Sequence, residues 1–238
     1  MAYLSRIWLN PLRSGARRLL SHPQSLHAVV LGGLVEQPVT ERVLWRLEAG
    51  GRHRLELLVL TQSRPSWGHL VEQAGWQDAD GAEPLVKDYA PLLQRVVAGR
   101  EFAFRLRANT VTSTRKPQEA SAGQRERLTQ ERPRGVRVPE RTAAQQQEWF
   151  VRHLPGWGLA LAEEDGLPAV RLIGRERVVF SKAADNGASR RVTLQTATAE
   201  GLVRVVEPDV VRTALLSGCG PARAYGCGLL TLAPATRV

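Results

Sequence analysis

Glu101–Arg107 reads E-F-A-F-R-L-R, an unbroken alternation of Phe102, Phe104 and Leu106 with polar or small residues between them. A period of two is the signature of a half-buried strand, whose successive side chains point to opposite faces. The apolar set faces a core, and Arg105 and Arg107 stand on the other side. Upstream, Ala2 to Leu9 reads as a strand carrying Tyr3, Ile7 and Leu9. Pro11 then opens a helical stretch, a residue suited to a first helical turn. Leu12, Ala16, Leu19 and Leu20 recur at helical spacing, with Arg13, Arg17 and Arg18 on other faces. Ser21-His22-Pro23 interrupts, and a second helix is expected from Gln24 to about Val35.

Arg42–Glu48 alternates, and His53–Thr61 is apolar; Gly50-Gly51 between them is a hairpin signal. Ser66–Ala74 and Leu85–Val97 read as short or weak helices. With Glu101–Arg107 as the closing strand, the order is β-α-β-β-α-β, the ferredoxin-like or RRM-like pattern.

Residues 109–141 break that pattern. They are rich in Arg, Glu, Gln, Pro and Ser and nearly lack large apolar residues, so a basic linker or flexible loop is expected. Thr142 then reads as an N-cap with Gln145 at the capping-box position. The helix it starts runs to His153, with Trp149 and Phe150 inward. Strand-like segments follow at Leu159–Ala162, Val170–Phe180, Arg191–Ala197 and Leu202–Val206. A helix at Pro208–Ser217 and a final strand at Leu229–Leu232 close the chain. The expectation is an α+β protein of two domains in tandem, 1–108 and 142–238, joined by 109–141. The 238 residues suit two units of about 100 each.

Charge is informative. There are 33 Lys plus Arg against 23 Asp plus Glu, a formal charge of +10. Lysine occurs only at Lys87, Lys116 and Lys182, so the excess is arginine. Arginine grips phosphate bidentately and stacks on bases. A GC-rich genome explains arginine in place of lysine but not the net excess, so a polyanionic partner is expected. No apolar run approaches the ~18 residues of a membrane span. The N-terminus carries Arg6 and lacks a signal-peptide core; a cytoplasmic protein is expected. Two cysteines, Cys219 and Cys227, lie in one short loop, without the paired His or Cys residues that a zinc site needs. No metal and no cofactor are expected.

That loop, Gly218-Cys219-Gly220-Pro221-Ala222-Arg223-Ala224-Tyr225-Gly226-Cys227-Gly228, is the most pronounced local signal. Its four glycines allow backbone N–H groups to approach a ligand, and Arg223 can meet a phosphate. A tight helix-to-strand connection is the alternative. It is neither a Rossmann fingerprint nor a P-loop. Among the histidines, His27 lies near a helix start, within one helix of Arg13, Arg17 and Arg18. A histidine beside phosphates can transfer protons near neutral pH, and RNA brings its own nucleophile in the 2′-OH. A single histidine in such a place is more often a structural residue. His22 and His27 would point about 140° apart on one continuous helix unless Pro23 bends the chain.

The stretches Tyr3–Pro11 (YLSRIWLNP), His22–His27 (HPQSLH), Val43–Glu48 (VLWRLE), Phe104–Thr110 (FRLRANT) and Gly218–Pro234 (GCGPARAYGCGLLTLAP) together resemble the CasE family, the CRISPR precursor-RNA endoribonucleases of type I-E systems. The resemblance implies two ferredoxin-like domains, binding of the CRISPR repeat hairpin, and cleavage at its 3′ base by metal-free 2′-OH attack. It further implies that the enzyme retains the mature guide RNA and joins the other Cascade subunits. By position, His27 matches the family's catalytic histidine. Gln24 stands where some relatives carry a tyrosine, which leaves open what assists His27. By the same resemblance Arg223 matches a basic position of the glycine-rich loop, and the basic hairpin around Lys182, Arg190 and Arg191 is similar to the segment that enters the RNA groove. Tyr225, which could partly replace the missing phenol, and the loop glycines Gly218, Gly220, Gly226 and Gly228 are further RNA-binding candidates. Arg105 and Arg107 join the arginine helix as further candidates. The alternative is a non-catalytic RNA-binding assembly subunit.

Overall fold

The computed structural model describes residues 1–49, 54–76, 81–115, 125, 129, 135–164, 167–183 and 189–235. The Gly50-Gly51 turn and His53 lie outside them. The first half runs β1 (Tyr3–Leu9), α1 (Ser14–Ser21), α2 (Pro23–Leu31), β2 (Leu44–Ala49), β3 (Leu55–Thr61), α3 (Gly68–Ala74), β4 (Leu85–Asp88) and α4 (Ala90–Arg95). The second runs β5 (Glu101–Asn109), β6 (Val111–Thr114), β7 (Val136–Pro139), α5 (Ala143–His153), β8 (Leu159–Leu161), β9 (Glu163–Glu164), β10 (Leu167–Pro168), β11 (Val170–Ala183), β12 (Ser189–Val205), α6 (Pro208–Ser217) and β13 (Leu230–Pro234).

Two main antiparallel sheets result, in the orders β2-β3-β1-β4 and β11-β12-β5-β13, with β8 also paired to β12, and β9-β10 and β6-β7 form separate two-stranded sheets. Each main sheet is one strand–helix–strand–strand–helix–strand unit with its first and third strands at the centre, so the fold is α+β with tandem ferredoxin-like domains. Ile7 and Leu9 of β1 alternate inward onto Ala16, Leu19, Leu26 and Val30 of the paired helices and Leu70 of α3. The opposite face of the first sheet is also covered. Leu44 and Leu60 enter the same core as Phe102, Phe104 and Leu106 of β5 and Trp149 and Phe150 of α5. One continuous apolar core therefore joins the two halves.

Several expectations change. Glu101–Arg107 is a strand, but it does not close the first sheet. Residues Glu101–Asn109 sit at the centre of the second sheet, paired with β12 on one side and β13 on the other. Alternation fixes which side chains turn inward, whereas the choice of partner is made by contacts far apart in sequence. The strand that closes the first sheet is Leu85–Asp88, expected as the start of a helix; it pairs with Tyr3–Arg6. Four residues are too few to reveal a period. Within 109–141, expected as a linker or loop, Val111–Thr114 pairs with Val136–Pro139 as a two-stranded ribbon; most residues between them lie outside the described set.

The capping box forms as read. Thr142 accepts from the Gln145 backbone N–H at 3.2 Å, and the Gln145 side chain accepts from the Thr142 N–H at 3.0 Å. Arg191–Ala197 and Leu202–Val206, read as separate strands, are parts of one strand, β12. Its first residues and the last of β11 extend past β5, since β5 pairs only with Thr196–Arg204. The overhang projects as a two-stranded ribbon.

Candidate active site and nucleic-acid interface

His22 has an extended backbone (φ −137°, ψ 98°) and separates α1 from α2. Pro23 occupies the first turn of α2, where its missing N–H costs nothing. The chain therefore bends between the two histidines. His22 Nε2 lies 3.1 Å from the Ser181 carbonyl oxygen on β11 and donates to it, while Ser25 Oγ lies 3.5 Å from Nδ1. The Phe180 ring meets His22 edge-on at 5.6 Å and Tyr225 at 4.8 Å. His22, Phe180 and Tyr225 thus tie together the start of α2, the base of the basic ribbon and the glycine-rich loop. Aromatic pairs of this geometry contribute about 0.5–1.5 kcal/mol each beyond their buried area. His22 and Phe180 were not singled out from the sequence, because the partners are about 160 residues apart and no local pattern links them.

His27 lies one turn into α2 and is half-buried. Its Nδ1 accepts a hydrogen bond of 3.2 Å from the indole N–H of Trp45 on β2. Burial pushes the His27 pKa below its usual value by disfavouring the charged ring. Gln24 is half-buried at the start of the same helix. That helix carries no side-chain cap, so its first N–H groups remain available to an anion.

The basic candidates divide by what holds them. Arg17 and Arg18 on α1 and Lys182, Arg190 and Arg191 on the ribbon are exposed, with no protein partner among the described residues. Exposed Arg177 on β11 belongs with them and was missed, since it sits within an apolar-rich strand. The others are engaged. Arg13 donates to the carbonyls of Val71, Glu72 and Gly75, closing the C-terminal end of α3. Arg105 pairs with Glu48 at 3.0 Å and Glu200 at 2.8 Å. Arg107 pairs with Glu176 at 2.7 Å. Arg223 donates to the Gly220 carbonyl at 3.0 Å within its own loop.

The glycine-rich loop is a helix-to-strand connection wrapped around a 3₁₀ turn at Arg223–Tyr225. Gly218, Gly220, Gly226 and Gly228 all have positive φ. Three of them, Gly218, Gly226 and Gly228, also make close approaches to the protein itself. A Cβ on Gly226 would stand 2.6 Å from the Trp45 ring, and one on Gly218 2.6 Å from Leu44. Cys219 and Cys227 are fully buried, and burial pushes both thiols up to about 12. They fill space. Among the described residues no group of three or more His, Cys, Asp or Glu could hold a metal ion, and no helix is long and apolar enough to cross a membrane.

Residues 2–234 match the family model described as CRISPR associated protein. The chain is 30% identical over 236 residues, 98% of its own length and 100% of the relative's, to the CRISPR-associated endoribonuclease Cse3 of Thermus thermophilus. It is 28% identical over 175 residues, covering 73% and 78% of the two chains, to the Cascade subunit CasE of Escherichia coli K12. The structure of the CRISPR endoribonuclease Cse3 bound to a 19-nucleotide RNA superposes with a TM-score of 0.75, at 30% identity over 98% of this chain and 100% of that one. The shared fold, the near-complete coverage and the matching ends together establish that this chain belongs to the CRISPR-associated protein family that includes Cse3 and CasE.

Proposed function

We propose that this protein is a metal-independent endoribonuclease that binds the hairpin of its CRISPR repeat RNA and cuts the precursor at the 3′ base of the stem. The observation that carries the reading is the position of His27. It lies on α2, whose N-cap His22 meets the basic ribbon at Ser181 and Phe180, and it accepts from Trp45, which packs against Gly226 of the glycine-rich loop; its Nε2 has no protein partner among the described residues. Lys182, Arg190, Arg191, Arg17 and Arg18 supply exposed cations to the phosphate backbone. A-form RNA hides its bases in a deep, narrow major groove, so the ribbon meets backbone and stem end rather than base edges within the stem. The 2′-OH preceding the scissile phosphate is the nucleophile, and His27 assists the reaction at the scissile phosphate. The products are a 2′,3′-cyclic phosphate and a 5′-hydroxyl. The enzyme then keeps the mature guide RNA and enters a Cascade assembly in the cytoplasm.

Gln24 favours a second reading, a non-catalytic RNA-binding assembly subunit, because an amide cannot transfer a proton as a phenol can. Incubating the protein with repeat RNA in EDTA separates the two. The first reading expects a single cut that a 2′-deoxy substitution abolishes; the second expects tight, salt-sensitive binding and intact RNA.

A further inference from the structure

Trp45 is the largest fully buried side chain of β2. Three contacts fix its place. Its ring faces the core formed with α1, α2 and α3. The Gly226 backbone lies so close that a Cβ there would meet three ring atoms within 3.1 Å. Its indole nitrogen, which only donates, reaches His27 Nδ1 at 3.2 Å. A nitrogen that accepts a hydrogen bond carries no proton. In the neutral imidazole the proton must then reside on the other nitrogen, Nε2. That atom has no partner among the described residues.

We infer that Trp45 is a positioning residue, holding His27 as the Nε2–H tautomer so that the ring meets the RNA as a hydrogen-bond donor and not as the base that removes the 2′-OH proton. The inference rests on the proposed cleavage reaction and assigns the side of it on which His27 works. The transesterification forms the O2′–P bond, breaks the P–O5′ bond and moves one proton from O2′ to O5′. Nε2–H stabilises the charge developing on O5′. Water takes up the O2′ proton and delivers one to O5′, so the ring ends unchanged. A neutral imidazole can act as such a donor, and the hydrogen bond at its second nitrogen sets which tautomer is present, which is what Trp45 provides. Protonating the ring would set an N–H against the indole N–H, which opposes the cation in addition to the effect of burial. Gln24 fits the same assignment, because a site that draws its base from solvent does not require a phenol there.

The test is the ¹⁵N–¹H long-range correlation spectrum of His27 in the full-length protein, compared with Trp45→Phe. That substitution keeps an aromatic side chain, though a smaller one, and removes the donor. The wild type should show a bare Nδ1 and a protonated Nε2, and the variant a mixture of tautomers. Single-turnover cleavage of repeat RNA by Trp45→Phe should fall about twofold, as one hydrogen bond's roughly tenfold bias in the tautomer ratio is lost and the two forms become comparably populated, with RNA affinity unchanged. Adding Trp45→Phe to His27→Ala should cause no further loss. A proton on wild-type Nδ1, or an unchanged tautomer or cleavage rate in Trp45→Phe, overturns the inference. Should the variant fail to fold, the wild-type spectrum alone still decides. Absence of any cut by the wild type would instead strike the proposed function and leave the tautomer assignment standing.

Discussion

Lys182 of β11 stands directly opposite Arg190 of β12, two exposed cations on one rung of the ribbon that overhangs the second sheet. Residues so paired share a face with Cβ atoms about 5 Å apart, and like charges there repel. Ser181 and Arg191 form the next rung. The arrangement costs stability in the free protein and is relieved by a polyanion. Replacing Lys182 and Arg190 together by alanine should weaken RNA binding and flatten its dependence on log salt by about one unit for each phosphate left without its cation. Titrations at several salt concentrations check this, and an unchanged slope would remove the ribbon from the interface.

Arg46 has the opposite character. It is 2% exposed, pairs with Glu48, and donates to the carbonyls of Arg105 at 2.9 Å and Leu229 at 2.6 Å and to Thr231 Oγ1 at 2.8 Å. It therefore bonds the first sheet to the central and edge strands of the second. Arg46→Ala leaves Glu48 and two carbonyls short of a partner and should cost about 3–5 kcal/mol. Urea unfolding should show the midpoint falling by the corresponding amount.

How much of this was legible in the sequence depends on distance along the chain. The Thr142–Gln145 capping box, the Pro208–Ser217 helix and the alternation of Phe102, Phe104 and Leu106 are local, and each appears where expected. Sheet membership is not local: β5 meets β12 about 90 residues on, and no feature of E-F-A-F-R-L-R names that partner. The site divides in the same way. His27 and the exposed cations were visible as residue types. Trp45 was visible only as an apolar position, because its indole N–H matters through a residue on another element. Arg13, Arg105 and Arg107 carry the same charge as Arg17, and only the structure separates carbonyl and carboxylate partners from open solvent.

The capping box gives a control. Thr142→Ala removes the bond to Gln145 N and should cost about 1 kcal/mol of stability. Thr142 caps α5 and bonds Gln145, with no hydrogen bond to His27, so cleavage at a temperature where the variant is folded should match the wild type. Slower cleavage there would show that α5 bears on the site.

The buried thiols predict both reactivity and pH dependence. Cys219 and Cys227 are pushed from 9.0 up to about 12 by desolvation. A disulfide reagent at pH 8 should therefore find essentially no reactive thiol in the native protein and two in denaturant. The folded pKa is raised, so the stabilising contribution is fully present below the unfolded value. It is lost as pH rises, because the unfolded chain ionises from about pH 9 while the folded one holds its protons until about 12. Stability should fall across that window. Substituting both cysteines by serine should flatten the slope, and rapid native labelling would contradict the burial.

His27 has the reverse sign. Its folded pKa is lowered by burial, so the folded protein resists protonation that the unfolded chain accepts. Stability should decline as pH falls below the unfolded value of about 6.5 and level off once the folded ring protonates. His27→Gln should shallow that decline in acid unfolding curves, and an identical curve would count against burial as the cause.

The central claim is a 2′-OH attack assisted by His27. Its most direct test is single-turnover cleavage of repeat RNA in EDTA, by the wild type and His27→Ala, on RNA with and without a 2′-deoxy nucleotide at the cut site. The account predicts full wild-type cleavage of the ribose substrate and a loss of about 10²–10⁴-fold in His27→Ala. It predicts that the deoxy substrate is bound but uncut. Cleavage of the deoxy substrate, or a His27→Ala rate equal to the wild type, would contradict it.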